Sequence, residues 1–158
     1  MKNTIEKKIE LGRPVISPVL VPVIHRATPN CINETFMVNG TPYKVTALSF
    51  GEPFGVVVVE DVDNLSVSSI GPQLASHPLF PLGANIVFAP VLENNCAKAR
   101  VWQKNTGEVP FTPQACGAAA TALMMLHKIM INTVKVYMGG SPYTVEWDKD
   151  SNNMTVPI

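Results

Sequence analysis

The chain has 158 residues, of which 46% are hydrophobic and 15% are charged, and its formal net charge at pH 7 is zero. This length and composition indicate one globular domain with a substantial core and exclude a disordered chain. The zero net charge argues against nucleic acid or an anionic membrane surface as a partner. The cysteines Cys31, Cys96 and Cys116 favour a reducing cytoplasm over a disulfide framework. Neither they nor His25 and His127 have the spacing of metal ligands.

The N-terminal third predicts an extension, a connector and a hairpin. Residues 1–11 are polar and predict a frayed or weakly helical extension, so that residues 12–158 form the single domain. Prolines among the apolar residues of 15–24 favour an edge strand or an extended connector, because proline lacks the donor of the sheet ladder. Asn39-Gly40 joins two apolar runs, which predicts a hairpin between 35–38 and 43–48.

The middle and the end of the chain predict further short strands and one surface helix. Apolar residues at helical spacing predict an amphipathic helix over 66–76, with Asn64 or Ser66 as its cap. The predicted strands lie at 56–59, 85–88 and 98–102, with a turn at 94–95, a polar loop at 103–111, a second hairpin of 134–138 with 143–147, and a last strand at 154–156.

One uncharged stretch, residues 115–126, organises the prediction. A helix that is apolar all round is buried all round, and this one is too short to cross a membrane. Thr112 is a good N-cap and Pro113 a good first helical residue. Together with mostly neighbouring antiparallel strands, this stretch predicts an α+β fold in which a mixed, mostly antiparallel β-sheet wraps around one buried central helix.

The start of this helix is also a candidate site for chemistry. Free N–H groups at a helix start bind anions and lower the pKa of a cysteine placed there. The residue at this start is Thr112, whose hydroxyl does not ionise at neutral pH. Cys116 lies one turn further on, where a buried thiol with apolar neighbours is inert.

Several segments between residues 12 and 155 form a recognisable series in order along the chain. They are Ser-Phe-Gly-Glu-Pro at 49–53, Val-Val-Glu-Asp-Val-Asp at 58–63, 65–72, His-Pro-Leu-Phe-Pro at 77–81, 85–88, 100–102, Gly-Glu at 107–108, Gly-Gly at 139–140 and Glu-Trp at 146–147. Together they resemble the C-terminal half of the diaminopimelate epimerase family, whose members are cofactor-independent amino-acid epimerases of lysine biosynthesis.

The resemblance implies a particular architecture and mechanism. It implies two similar domains, each a sheet around one helix, with the active site between them and no cofactor or metal. Two cysteines, one at the start of each helix, would move a proton on opposite faces of the substrate α-carbon. On this resemblance, we expect the family's N-terminal domain and its closing strand to be missing from this chain.

The resemblance also assigns site residues. Thr112 stands at the position of the family's cysteine, either as a simple helix cap or as part of a remodelled site for one-base chemistry such as dehydration. A rival register, with a longer loop, places Cys116 there instead. By position, the expected substrate-binding residues are Asn85, Glu52, Gln103, Lys104, Glu108, Pro113 and Gln114, although each also has an ordinary structural role as a cap, turn or strand-end residue.

Two functions from different classes follow from this pattern. The first is a catalytically silent domain that self-associates as a homodimer, because losing a partner domain exposes an apolar surface. The alternative is the C-terminal subunit of a split amino-acid epimerase that needs a separate N-terminal half. In both, a small amino acid is the expected ligand.

Overall fold

The structure is a computed structural model that describes residues 8–24, 30–90, 95–126, 132–148 and 150–157. Two helices lie in these residues, α1 (Val67–Ala75) and α2 (Pro113–Met125). The strands are β1 (Lys8–Gly12), β2 (Glu34–Val38), β3 (Thr41–Ser49), β4 (Pro53–Val58), β5 (Asn85–Ala89), β6 (Cys96–Lys98), β7 (Arg100–Gln103), β8 (Gly107–Val109), β9 (Thr133–Met138), β10 (Ser141–Asp148) and β11 (Asn153–Pro157).

The strands form two sheets around α2. One has the order β1-β11-β10-β9-β6 and the other β2-β3-β4-β5-β7-β8. Two of the pairings, β4 with β5 and β6 with β9, are parallel, and the other pairings within these sheets are antiparallel. Helix α2 contacts strands of both sheets. This confirms the predicted α+β fold, with the refinement that the wrapping surface consists of two sheets.

Helix α2 is buried because its inner residues are small and uncharged. Every residue from 115 to 123 is buried. Alanine and glycine let both sheets approach the helix backbone closely, while Leu123 fills the wider end. The single polar side chain in this stretch, Thr121, donates its hydroxyl to the Gly117 carbonyl at 2.7 Å, so it brings no unpaired group into the core.

Alternation along the strands gives the six-stranded sheet two different apolar faces. In β7, Val101 belongs to the core around α2, whereas Trp102 packs into a second core that includes α1. In β5, Val87 and Phe88 divide in the same way. Helix α1 lies against Trp102 at Gly71, where an added Cβ would be 2.6 Å from the indole. A site residue on this sheet therefore faces either α2 or α1.

Several local predictions need correction. Residues 8–12 form a strand, with Ile9 opposite Val156, because pairing with β11 overrides their weak helical pattern. The predicted strand at 98–102 is broken at Ala99, since β6 and β7 belong to different sheets. The predicted loop at 103–111 contains β8. Of the two alternatives for residues 15–24, the structure has the connector, with one bridge between Val15 and Ser49.

The two hairpins and both helices lie where the sequence predicts them. Ser66 occupies the N-cap of α1, but its side chain makes no capping hydrogen bond. The predictions for residues 1–7, Asn94, His25 and His127 lie outside the described residues.

Candidate functional site

Thr112 sits at the start of α2 as a helix cap. Its backbone is extended, with φ −137° and ψ 143°, and its Oγ1 accepts a hydrogen bond from the Ala115 N–H at 3.0 Å. Its carbonyl accepts the first helical hydrogen bond, from the Cys116 N–H at 3.1 Å. The half-buried residues Pro113 and Gln114 complete the first turn. The hydroxyl is therefore engaged with the backbone, as the sequence predicts for an N-cap.

Cys116 belongs to the core. It has no exposed surface, and its neighbours in the core are apolar side chains of both sheets. Burial raises the pKa of its thiol from 9.0 to about 12, so that the thiol is neutral at physiological pH. A proton-transfer group must come within hydrogen-bond reach of its substrate. The position that the rival register assigns to this thiol therefore faces the interior in this structure.

Three of the expected substrate-binding residues lie at one end of the six-stranded sheet. Asn85 begins β5, opposite Phe54 of the parallel strand β4, and Gln103 ends β7 beside it. Glu52 is exposed in the turn just before β4. By alternation, Asn85 and Gln103 point to the α2 side, the side on which Phe54 and Val101 pack.

This end of the sheet lies close to the first half of α2. The ring of Phe50, in the turn that carries Glu52, would lie 3.4 Å from a Cβ added at Gly117. The structure therefore brings the turn, the start of β5 and the end of β7 to the side of the sheet that packs on the central helix.

Asn85 already has a partner within the fold. It is 2% exposed, and its Oδ1 accepts a hydrogen bond from the Lys104 N–H at 2.8 Å. This is the ordinary role of a polar residue at a strand end, where it ties β5 to the segment after β7.

Lys104 points away from the other candidates. Its ammonium donates to the Leu82 carbonyl at 2.8 Å, and its side chain crosses Gly83, where a Cβ would lie 2.7 Å from the Lys104 Cδ. It lines a cavity with α1 and Trp102, on the face opposite α2. Gln103 and Lys104 are adjacent in sequence, but the Gln103 side chain lies on the α2 face of the sheet and the Lys104 side chain on the α1 face.

Glu108 orders the loop before α2 by holding Arg100. The two side chains form a bidentate ion pair, with Nε–Oε2 and Nη2–Oε1 distances of 2.7 and 2.8 Å. The hydrogen bond with Glu108 raises the pKa of Arg100. Arg100 Nη1 also donates to the carbonyls of Val62 and Leu65, each at 2.9 Å. The sequence analysis assigned Arg100 no such role. A signal for it is that a basic and an acidic residue lie on two short strands, β7 and β8, that are joined by a tight turn.

No metal site or membrane span is found among the described residues. Within residues 8–24, 30–90, 95–126, 132–148 and 150–157, no three His, Cys, Asp or Glu side chains are grouped so that they could hold a metal ion. In the same part of the chain, neither helix has the length and apolarity needed to cross a membrane.

The fold defines an α+β class that solved structures share. A PhzF-family phenazine biosynthesis protein from Bacillus anthracis aligns with a TM-score of 0.57 at 15% identity, over 95% of this chain and 56% of that one. At this identity the likeness concerns the fold alone.

Sequence comparison identifies the family. The family model described as diaminopimelate epimerase matches residues 46–158. The diaminopimelate epimerase of Leptospira biflexa is 31% identical over 147 residues, covering 91% of this chain and 51% of that protein. The enzyme of Pseudomonas aeruginosa PAO1 is 36% identical over 142 residues, covering 88% and 49%. The chain belongs to the diaminopimelate epimerase family, and it spans about half the length of these relatives.

Proposed function

We propose that this chain is a diaminopimelate epimerase-type domain that does not epimerise amino acids by itself and that self-associates. The observation that carries the proposal is the group at the start of α2. Thr112 offers a hydroxyl that is already hydrogen-bonded to Ala115, and the nearest thiol on the helix, Cys116, is buried with a pKa of about 12. Inversion at carbon needs a proton donor and an acceptor on opposite faces, and neither group suits that task.

A binding role is compatible with the rest of this region. In the first turn of α2, Pro113 has no N–H and the Ala115 and Cys116 N–H groups bond to Thr112, which leaves the Gln114 N–H as the group that can attract a carboxylate. Gln103 and Asn85 lie on the α2 side of the sheet end, and Glu52 is exposed beside them. This polar set of an acid and two amides, at the sheet end whose Phe50 turn packs near Gly117 of α2, suits a small zwitterionic ligand such as an amino acid.

Self-association is supported by exposed apolar side chains in two segments, the turn before β5 and the connector after β1. Leu82, three residues before Asn85, is 66% exposed. Val19 and Leu20, in the connector that bridges to the end of β3, are 83% and 70% exposed. Exposed apolar groups of this kind are typical of interaction surfaces. A second copy related by a two-fold axis would cover both segments.

The second candidate function is the C-terminal half of a two-chain epimerase. It is favoured by the match to about half of each diaminopimelate epimerase relative. A separate chain would then supply the other half of the site. A reducing cytoplasm is the compartment that we propose for either function, and the buried Cys31 and Cys116, which form no disulfide, fit it.

The decisive experiment measures loss of the α-proton of diaminopimelate in D2O by NMR. The purified wild-type chain should cause no exchange above the buffer rate. Exchange that disappears in Thr112→Ala, while Thr112→Ser retains it, would disprove catalytic silence. Exchange that appears only after adding an N-terminal half of a relative would favour the two-chain enzyme.

Sedimentation equilibrium tests self-association separately. The wild-type chain should have twice the monomer mass of 17.1 kDa. Leu82→Glu should shift it to the monomer, whereas Met37→Glu, a change at an exposed apolar residue on β2, serves as the matched control. A monomer at all concentrations would rule the dimer out.

A further inference from the structure

A cavity lies on the face of the six-stranded sheet that packs against α1, opposite α2. Its volume is about 540 Å³, within the range of roughly 300–1,000 Å³ that is usual for small-molecule sites. It is bounded by α1, the turn before β5 and the segment after β7. Much of its wall is apolar or aromatic, and its lining includes Pro72, Phe80, Pro81, Trp102, Lys104 and Asn105.

This cavity is separate from the start of α2. Within β7, Trp102 points to the face opposite Val101 and Gln103, and Lys104, which follows β7, lines the cavity together with Trp102. Val101 packs in the core around α2, whereas Trp102 packs with α1. A ligand in the cavity would therefore contact a different surface from a ligand at Thr112.

Lys104 is the cation among the residues that line this cavity, and the described residues give it no anionic partner. Its ammonium donates to the neutral carbonyl of Leu82 at 2.8 Å, and no carboxylate in the described part of the chain pairs with it. Lys98 and Arg100 differ, since Lys98 pairs with Asp63 at 2.6 Å and Arg100 with Glu108 at 2.7 Å. The positive charge of Lys104 is therefore available to an external anion.

Gly83 fixes where this charge sits. A Cβ at this position would lie 2.7 Å from the Lys104 Cδ, and its φ of +75° further disfavours any other residue. Because Gly83 has no side chain, the aliphatic part of Lys104 lies across it, and Lys104 and Trp102 both line the cavity. A cavity lined by a cation and an indole suits a ligand with an anionic end and an apolar body.

We propose that this cavity binds a small organic carboxylate. The carboxylate pairs with the Lys104 ammonium and adds to or replaces its bond to Leu82, while an apolar or aromatic body packs on Trp102 and Pro72. The site is independent of the function proposed for the α2 start. A charge-assisted hydrogen bond of this kind is typically worth a factor of about ten or more in affinity.

The test uses the chain's two tryptophans as reporters. Trp102 lines the cavity, whereas the Trp147 indole N–H donates to Asn152 in the other sheet at 2.6 Å. The probe is 3-phenylpropionate, titrated while the two indole N–H signals are followed by ¹H–¹⁵N NMR. The Trp102 signal should shift in a saturable manner, and the Trp147 signal should stay in place. No shift of Trp102 at millimolar probe would overturn the proposal.

Charge specificity is tested on the wild-type chain and on matched variants. 3-Phenylpropylamine has the same body with a positive end, and it should bind at least tenfold more weakly. Lys104→Gln should weaken 3-phenylpropionate binding at least tenfold, whereas Lys98→Gln should leave it unchanged. Equal binding of acid and amine, or equal binding by Lys104→Gln and wild type, would overturn the proposal. The comparison of acid and amine needs no variant to fold.

Discussion

Replacing Thr112 with cysteine should create a reactive thiol at the start of α2. In a Cys96→Ser background the remaining native thiols, Cys31 and Cys116, are buried, and burial raises their pKa values to about 11 and about 12. At pH 7 their thiolate fractions are then about 10⁻⁴ and 10⁻⁵. An unperturbed thiol of pKa about 8.5 is roughly 3% thiolate, and a helix start lowers the pKa further. The new thiol should react at least ~300-fold faster than either buried one.

The assay is the rate of reaction with 5,5′-dithiobis(2-nitrobenzoate) at pH 7, followed by mass spectrometry to locate the modified residue. Thr112→Ser in the same background keeps the cap without a thiol and should show only slow reaction. Loss of the threonine cap costs about 1 kcal/mol, so the variant should remain folded. Two results would refute this reasoning. If the thiol introduced by Thr112→Cys reacts no faster than the buried ones, the start of α2 is not accessible to the reagent. If Cys116 is the modified site, its side chain is not buried.

Three further predictions test the interactions around this helix. Glu108→Gln removes the charge-assisted hydrogen bonds to Arg100 and should lower the free energy of unfolding, measured by urea denaturation, by about 1–2 kcal/mol. An unchanged free energy of unfolding would show that this ion pair does not stabilise the fold. Gly71→Ala forces a Cβ to 2.6 Å from the Trp102 ring and should destabilise the chain by about 1–3 kcal/mol despite the better helix propensity of alanine; a gain in stability would contradict this packing. The pKa of Cys116 is raised from 9.0 to about 12, so the unfolded chain loses this proton first as the pH rises above 9. The wild-type chain should therefore lose about 1.4 kcal/mol of stability from this residue by pH 10, a loss that Cys116→Ala does not show.

The sequence predicted the elements whose signals are local. Asn39-Gly40 and Gly139-Gly140 each mark a hairpin by their own backbone preferences, with φ values of 50° and 82° at the first pair and 58° and 83° at the second. The uncharged stretch from Ala115 onward predicted a buried helix because no face of it could be left in water.

The elements that sequence reasoning missed depend on distant partners. Residues 8–12 become a strand only because β11, near the other end of the sequence, offers them an edge. The break at Ala99 has no local signal, since the residues on both sides of it are extended. They are assigned to different sheets by pairing with β9 on one side and with β5 and β8 on the other. Pairing between distant segments is the information that a local pattern lacks.

The candidate site shows the same limit at the level of single side chains. Thr112 could be predicted as a cap, because capping depends on the residue and on the three that follow it. The direction of the Lys104 side chain could not be predicted, because it depends on how the chain leaves β7 and on the space over Gly83. Gln103 and Lys104 are neighbours in sequence, yet they contribute to different surfaces.

The different faces of Gln103 and Lys104 limit what an introduced thiol can achieve. A cysteine at position 112 would place a proton-transfer group at the start of α2, but Lys104 would still point to the α1 face, where it donates to the Leu82 carbonyl. Among the described residues on the α2 side of the sheet end, Asn85 is engaged with the Lys104 backbone and Gln103 carries no charge. We therefore expect Thr112→Cys to gain thiol reactivity without gaining epimerisation. α-Proton exchange by that single variant would show that the polar set around Glu52 already suffices to orient an amino acid.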